Sequence, residues 1–454
     1  LTPLQTHLQT VATKREQHTQ TWCNVLAWAS TETAVMSPQV KGTPYLVGFS
    51  ANNAVGSEAL FDRLQQAGLP VTTWPDLPPE VLDSPDTYPT ATSLRNSRFY
   101  LPVHQTLSQY QLFACGKSLL DTATLKWQAK ALSRDEWEVY WQRCNNTNLL
   151  QSWQYGEAME QTKGLKAHRF LIVDENEQPV AIAQILTRVI PLVGGIARLN
   201  RGPLLLTDQS PDAEVPLKLA ALRVLLREAR RKHWWLFKVS PELQCTMTTM
   251  SGLQELGFKK LAAHAWASGR MSLQLDEQAL LMGLKGKWRN MLRKGEKLGV
   301  TVTHNECKGE ALKLLMQSYT VLQSSRGFDG LSNKLINALA GQHGSQWEFN
   351  LFVAHENTMP EHDDPLGLLV TVRSGDTALY LIGSTNDKGR QMQANSVLLW
   401  QAILHAKHSA CNWFDIGGLN EATPEGIAKF KQGLNAMPYE LVGEWRRYSW
   451  VYLK

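Results

Sequence analysis

Residues 412–433 read NWFDIGGLNEATPEGIAKFKQG, and the reading of this stretch decides the fold. The apolar, aromatic run 412–416 has the look of a short buried strand, ended by Gly417 and Gly418 where unusual backbone angles are tolerated. A polar loop follows, and Thr423 is expected to cap a short helix with Pro424 at its first position. A strand, a glycine hinge and a helix start would bring backbone N–H groups, the carboxylate of Asp415 and the ammonium of Lys431 around one cleft. That set suits acyl transfer. An ordinary strand-to-helix turn, with Asp415 capping it and Lys431 in solvent, accounts for the same residues, because such units fill every α/β domain.

Working outward, the pattern predicts strands at 349–354, 366–373 and 377–382 and a helix over 395–407 leading into the quoted stretch. A similar order occurs earlier: a helix over 217–232, a strand over 234–240, then LQELGF at 253–258. The two runs parallel each other at similar spacing, so a duplicated α/β module is the economical explanation. Between the copies, 275–298 reads as one helix that holds KGKWRNMLRKGEKLGV. Helical spacing puts Arg289, Arg293 and Lys297 on one stripe, with Lys285 beside it. A solvated face explains such a stripe as well as a phosphate-binding one. The cations of 227–232 suit the C-terminal turns of their own helix.

Upstream, 4–33 shows a helical pattern with Trp22, Val25 and Leu26 on its buried face. An extended run follows over 43–50, and a second helix is expected to stop at Gly68. The polar cluster 144–148 suggests a boundary, which gives three domains, 1–145, 146–274 and 275–454.

Composition narrows the class. The chain has 454 residues, 43% hydrophobic and 19% charged, with 46 Lys+Arg against 41 Asp+Glu. A formal charge of +5 is too mild to imply nucleic-acid binding by net charge, so local charge carries that question. No apolar run reaches the ~18 residues of a membrane span. The first residues lack a signal-peptide pattern, and a cytoplasmic location is expected. Six cysteines stand at wide intervals without a C-x-x-C pair, as expected for reduced thiols rather than a disulfide frame or zinc site. His355 and His362 lie in an acidic, loop-like segment, and no metal is expected.

Four blocks carry a resemblance over residues 145–446: LLQSWQYGEAMEQTKG, ARLNRGPLL, KWRNMLRKGEKLGVTV, and the stretch from Leu398 to Glu444 with its D-hydrophobic-G-G and F-K-x-G elements. In these the chain resembles the Fem family of aminoacyl-tRNA-dependent peptidyltransferases, built from two GNAT-like domains. The resemblance implies an α/β (α+β) fold with two tandem GNAT-like domains, each with a mostly antiparallel sheet. It implies transfer of an amino acid from aminoacyl-tRNA to an amine without a metal. Lys431 then matches the lysine beside the reacting ester, Phe430 shapes the cleft, Asp415 orients the loop or the amine, and Tyr380 is the cleft tyrosine. Gly417 and Gly418 allow close backbone approach, Trp153 and Tyr155 are substrate-binding residues, and Lys285, Arg289, Arg293 and Lys297 bind the tRNA.

Glu157 and a position near Leu331 depart from the family, standing where a lysine and an arginine hold the diphosphate of nucleotide-linked acceptors, and because a carboxylate repels a diphosphate this argues against the usual cell-wall acceptor. The family's long coiled-coil insertion is also missing. Residues 1–125 resemble the C-terminal subdomain of DegT-type PLP sugar aminotransferases through LQQAGLPV, WPDLPPEV, LPVHQ and LSQYQL. This piece lacks the large domain that PLP chemistry needs and reads as a relict or structural module or as the tail of a larger fusion, so PLP is not expected, and an alternative role is docking a partner enzyme. The rival donor is acyl-CoA. It needs a glycine-rich turn at a helix N-terminus, and Gln393 and Asn395 occupy that turn.

Overall fold

The computed structural model describes residues 3–27, 33–35, 45–51, 61–62, 64–66, 69–73, 76–107, 126–190, 194–207, 214–263, 265–326, 330–357, 365–420 and 423–448. Gly68, His362 and most of LSQYQL lie outside them. The chain divides into two compact units, one of residues 1–128, 173–178 and 209–220, the other of 129–172, 179–208 and 221–454. Ser133 forms a capping box with Glu136 and starts the helix Arg134–Trp141, whose Trp137 and Trp141 are buried.

In the first unit the antiparallel strands β1 (Thr33–Val35), β2 (Leu46–Ala51), β3 (Thr72–Thr73) and β4 (Arg98–Pro102) form a sheet in the order β1-β2-β4-β3. Thr33, expected in the first helix, starts a strand, and the helix is Pro3–Ala27. LPVHQ has a packing role here. Leu101 and Val103 are buried, Trp22 Nε1 donates to the Pro102 carbonyl at 2.7 Å, and Arg15 donates to Gln105 Oε1 at 2.9 and 2.7 Å.

The second unit holds two sheets. The first contains β5 (Gln128–Ala131), β6 (Lys166–Val173), β7 (Pro179–Ile190), β8 (Gly194–Asn200), β9 (Leu204–Leu205), β10 (Trp234–Ser240) and β11 (Lys259–Lys260). The second contains β12 (Ala267–Ser272), β13 (Val300–Glu306), β14 (Trp347–Glu356), β15 (Gly367–Ser374), β16 (Thr377–Thr385), β17 (Trp413–Asp415) and β18 (Met437–Glu440). The last strand, β19 (Trp445–Tyr448), joins the first sheet, whose order is β11-β19-β10-β8-β7-β6-β5 with β9 on β7. The second runs β13-β14-β15-β16-β17-β12-β18.

Each half thus contributes a strand to the other. β12 follows the first half in sequence but sits between β17 and β18, while β19 follows the second half and sits between β10 and β11. Each sheet also has a parallel pair, β8 with β10 and β16 with β17, joined by the crossover helices Glu214–Arg231 and Ala394–His408. The expected module repeat appears here as topology.

Both faces of the second sheet are covered, so its strands alternate between two cores rather than between core and water. On β14, Phe352 and Ala354 join the cluster with Trp288, Leu398 and Phe414, whereas Phe349, Leu351 and Val353 join the one with Leu315, Ile336 and Leu339. The helix expected over 275–298 is two, Glu277–Gly283 and Gly286–Lys297, separated by Leu284 in an extended conformation. Among the described residues no helix is long and apolar enough to cross a membrane, and no group of His, Cys, Asp and Glu would hold a metal ion.

Candidate active site

The cleft begins where a parallel pair stops. β16 and β17 pair over Thr377–Leu379 and Trp413–Asp415. Beyond these the chain after Asp415 turns out of the sheet at Gly417, at φ +70°. On its other side β16 carries an irregularity, since Val370 faces Ile382 and Thr371 faces Tyr380, leaving Leu381 as an extra residue. The opening is closed off by the start of the Ala394–His408 helix and by the helix Glu425–Gln432. The result is a cavity of about 750 Å³ with Tyr380, Ser384, Gln393, Asn395, Phe430 and Lys431 on its wall.

Lys431 is 7% exposed, although it sits on a helix otherwise facing outward. Its Nζ donates to the Gly418 carbonyl at 3.3 Å and stands 4.9 Å from the centre of the Tyr380 ring. Burial pushes its pKa down to about 8, opposed by the Asp415 carboxylate. A Cβ on Gly417 would lie 2.6 Å from the Tyr380 carbonyl oxygen and 3.4 Å from Lys431 Nζ, so the glycine is what lets the turn pass between them. Burial raises the Tyr380 phenol to about 12.

Asp415 lies behind this wall, 2% exposed. Oδ1 accepts from Ser268 Oγ at 2.5 Å and from the Gly417 N–H at 2.9 Å; Oδ2 accepts from the Tyr439 hydroxyl at 2.6 Å, with Arg201 Nη1 at 3.9 Å. Of the two tasks expected of it, orienting the loop fits these bonds, and holding an amine does not. Thr423 does not cap the following helix. Its hydroxyl donates to Gly418 O and Asn420 Oδ1, and Pro424 is the N-cap residue.

Lys431, Phe430 and Tyr380 therefore meet on one cavity, with Gly417 and Gly418 against Lys431. Trp153 and Tyr155 do not reach it. Trp153 lies under the Arg169 guanidinium, 3.5 Å from its ring centre, and Tyr155 packs against the core of the second sheet. Glu157 is paired with Arg169 at 2.9 Å, so the carboxylate expected to repel a diphosphate is compensated.

The helix Gly286–Lys297 buries Trp288, Leu292 and Gly295 and leaves Lys287, Arg293, Lys294 and Lys297 exposed. A Cβ on Gly295 would sit 3.2 Å from the Gln393 carbonyl oxygen, and the Lys285 N–H donates to the Gly433 carbonyl at 3.0 Å. The basic face thus rides on both helices that wall the cavity. Arg289 differs from its neighbours: Nη1 donates to the carbonyls of Met282 and Leu284, each at 2.6 Å, closing the end of the preceding helix.

Five residues that sequence reading did not single out complete the surroundings of Asp415. Arg201 and Glu242 form a bidentate pair at 2.6 and 2.9 Å, Arg270 donates to Glu242 Oε1 at 2.5 Å, and Tyr439 accepts from Trp266 Nε1 and Arg201 Nη2 at 3.0 and 3.1 Å. Ser268 is the fifth. They are scattered from 201 to 439, and no periodicity or motif joins them.

Two exchanged strands, two parallel pairs with crossover helices and a cavity where one of those pairs ends make up a tandem GNAT-like fold. Residues 350–449, which include Tyr380, Asp415 and Lys431, match the model of the FemAB family. A crystal structure of FemX superposes with a TM-score of 0.59 at 16% identity, covering 71% of this chain and 97% of that one. L-PGS from Bacillus licheniformis matches with a TM-score of 0.42 at 9% identity, over 70% and 92%. A tandem GNAT protein from the clavulanic acid biosynthesis pathway matches with a TM-score of 0.40 at 9% identity, over 71% and 98%. No curated protein matches the chain.

Proposed function

We propose that the enzyme transfers an amino acid from aminoacyl-tRNA to an amine acceptor, forming an amide. The observation that carries this is Lys431: a buried ammonium on the wall of a cavity large enough for an aminoacyl ester and its terminal nucleoside, inside the family-matched segment. An ester of tRNA is already activated, so the protein's work is to hold the reactants and stabilise charge. The amine nitrogen attacks the ester carbonyl carbon, and negative charge develops on the carbonyl oxygen, where Lys431 compensates it. The C–O bond to the ribose then breaks, and the amine's proton leaves with the ribose oxygen. Phe430 and Tyr380 keep water from the ester.

Lys287, Arg293, Lys294 and Lys297 are proposed to take the phosphates next to the donor's acceptor end, since their helix packs on the cavity walls. Charged tRNA is a cytoplasmic substrate, and we place the reaction there. No resident cofactor takes part. The amino-terminal unit is proposed as a docking module for a partner enzyme, tested by size-exclusion of the chain with and without it.

The donor is tested with purified protein, labelled aminoacyl-tRNAs and acyl-CoAs, and a panel of amino sugars, amino acids and peptides. Amide formation from a charged tRNA is expected. If acetyl-CoA outcompetes every charged tRNA, the donor is wrong. The N-terminus of the Ala394–His408 helix does open into the cavity, but Gln393, at φ +61°, and Asn395 put side chains where a CoA diphosphate would lie.

A further inference from the structure

The buried polar cluster behind the cavity crosses from one half of the enzyme to the other. Arg201 follows directly on β8, and Glu242 stands just past β10, so both come from the ends of the first half's parallel pair. Ser268, Arg270, Asp415 and Tyr439 belong to strands of the second sheet. In the second half the equivalent strand ends open into the cavity. In the first half, Gln151 Nε2 donates to the carbonyls of Gln184 and Asn200 at 3.1 and 2.6 Å, and Asn148 Nδ2 donates to the Arg201 carbonyl at 2.8 Å. Arg201 itself is held at φ +49°, a conformation that costs a side-chain-bearing residue and persists only where surroundings over-determine it. Its own N–H donates to the Ser240 carbonyl at 2.7 Å. The strained residue delivers its guanidinium to Glu242, to the Tyr439 hydroxyl and toward Asp415.

We propose that Tyr439 and Arg201 are positioning residues that lock Asp415, and through it the Gly417 turn, in the place that sets Lys431 against the ester. The path is continuous. Arg201 Nη2 and Trp266 Nε1 donate to the Tyr439 oxygen, whose O–H donates to Asp415 Oδ2; Asp415 Oδ1 accepts from the Gly417 N–H, and Gly417 abuts both Lys431 Nζ and the Tyr380 carbonyl. Two guanidiniums, Arg201 and Arg270, face two carboxylates, Glu242 and Asp415. Neither Tyr439 nor Arg201 lines the cavity, so neither touches substrate. The strand ends of one half thereby hold the reactive turn of the other.

The proposal rests on the reading of the Lys431 cavity as the acyl-transfer site, and its test includes a measurement that needs no substrate. Tyr439→Phe keeps the ring and removes one hydroxyl, whereas Arg201→Met would take the bidentate partner from buried Glu242 and risk the fold. The reactivity of the Lys431 amine is followed by competitive acylation and peptide mass spectrometry across pH, with Asp415→Asn as the reference variant. The carboxylate of Asp415 favours the ammonium, and the other charges near it, Arg201, Arg270 and Glu242, are retained in both variants.

In Tyr439→Phe the carboxylate is released from its place. The labelling midpoint is then expected to fall toward that of Asp415→Asn, and the transfer rate to drop by up to about 10²-fold with donor KM within about twofold, as for a displaced reacting group. If wild type shows no transfer but the midpoint shifts, positioning stands and the reaction assignment fails. If Tyr439→Phe is folded and its midpoint matches wild type while that of Asp415→Asn moves, the hydroxyl is mere packing and the proposal is overturned. Ser268→Ala, which frees the other oxygen of Asp415, gives the same reading should Tyr439→Phe not fold.

Discussion

At the scale of the residue, Lys431 combines two opposed demands. Burial that would make its charge effective in catalysis also makes the charge expensive. With its pKa near 8 in the folded chain and 10.5 as the ordinary value, the ammonium is present in both folded and unfolded states below pH 8, and the burial cost is fully felt. Between about 8 and 10.5 the folded lysine releases its proton while the unfolded one keeps it, so stability rises with pH across that window. Lys431→Met is therefore expected to be more stable than wild type at pH 7, by on the order of 2–3 kcal/mol, with the gap closing above pH 10. Denaturant titration at the two pH values checks this. The same variant is expected to lose about 10²–10³-fold in turnover, the scale for one oxyanion stabiliser. Wild-type turnover should fall as pH climbs through 8, opposite in sign to the stability. A Met variant that is less stable at pH 7 would mark Lys431 as a packing residue.

At the scale of the element, the helix Gly286–Lys297 carries cations of two kinds. Arg293 is exposed, and Arg293→Ala should weaken donor binding and lower the slope of log K against log salt by about one, since one phosphate contact's counterion release is lost. Arg289 is spent on the carbonyls of Met282 and Leu284. Arg289→Ala should cost about 1–3 kcal/mol of stability and leave the salt slope unchanged, because its charge-assisted bonds hold a helix end. Binding isotherms at several salt concentrations, paired with thermal melts, separate the two. The stripe of Arg289, Arg293 and Lys297 was legible from helical spacing, yet spacing does not tell a solvent-facing guanidinium from one folded back onto carbonyls. Likewise the alternation of β14 and β15 was readable as strand, whereas their burial on both faces depends on which helices arrive.

At the scale of the whole molecule, the exchanged strands bind the two halves of the enzyme into one cooperative structure. Trp445, on β19, is 1% exposed, and its strand pairs with β10 and β11 of the first sheet. Trp445→Ala removes a large side chain from that core and is expected to cost about 3–5 kcal/mol. Because Arg201 and Glu242 hang from the same sheet, transfer activity should decline along with stability although Trp445 is not on the cavity wall. Parallel melts and rate measurements would expose an activity that survives loss of the strand.

Most strand and helix placements and the repeat of the α/β module were within reach of the amino-acid order, because periodicity and glycine hinges are local properties of the chain, while Tyr380, Phe430 and the role of Lys431 came from the family resemblance. The exchange of β12 and β19 was not, since a strand's partner is chosen by complementary edges and cores far away in sequence. Nor was the company of Asp415. Arg201, Glu242, Ser268 with Arg270, and Tyr439 come from four separate segments, and the burial of Arg201, Glu242 and Ser268 that gives these hydrogen bonds weight exists only once the two sheets have closed around them. The same closure set Trp153 and Tyr155 apart from the cavity. Their block is recognisable in sequence, but a helix's distance from a cleft is decided by packing.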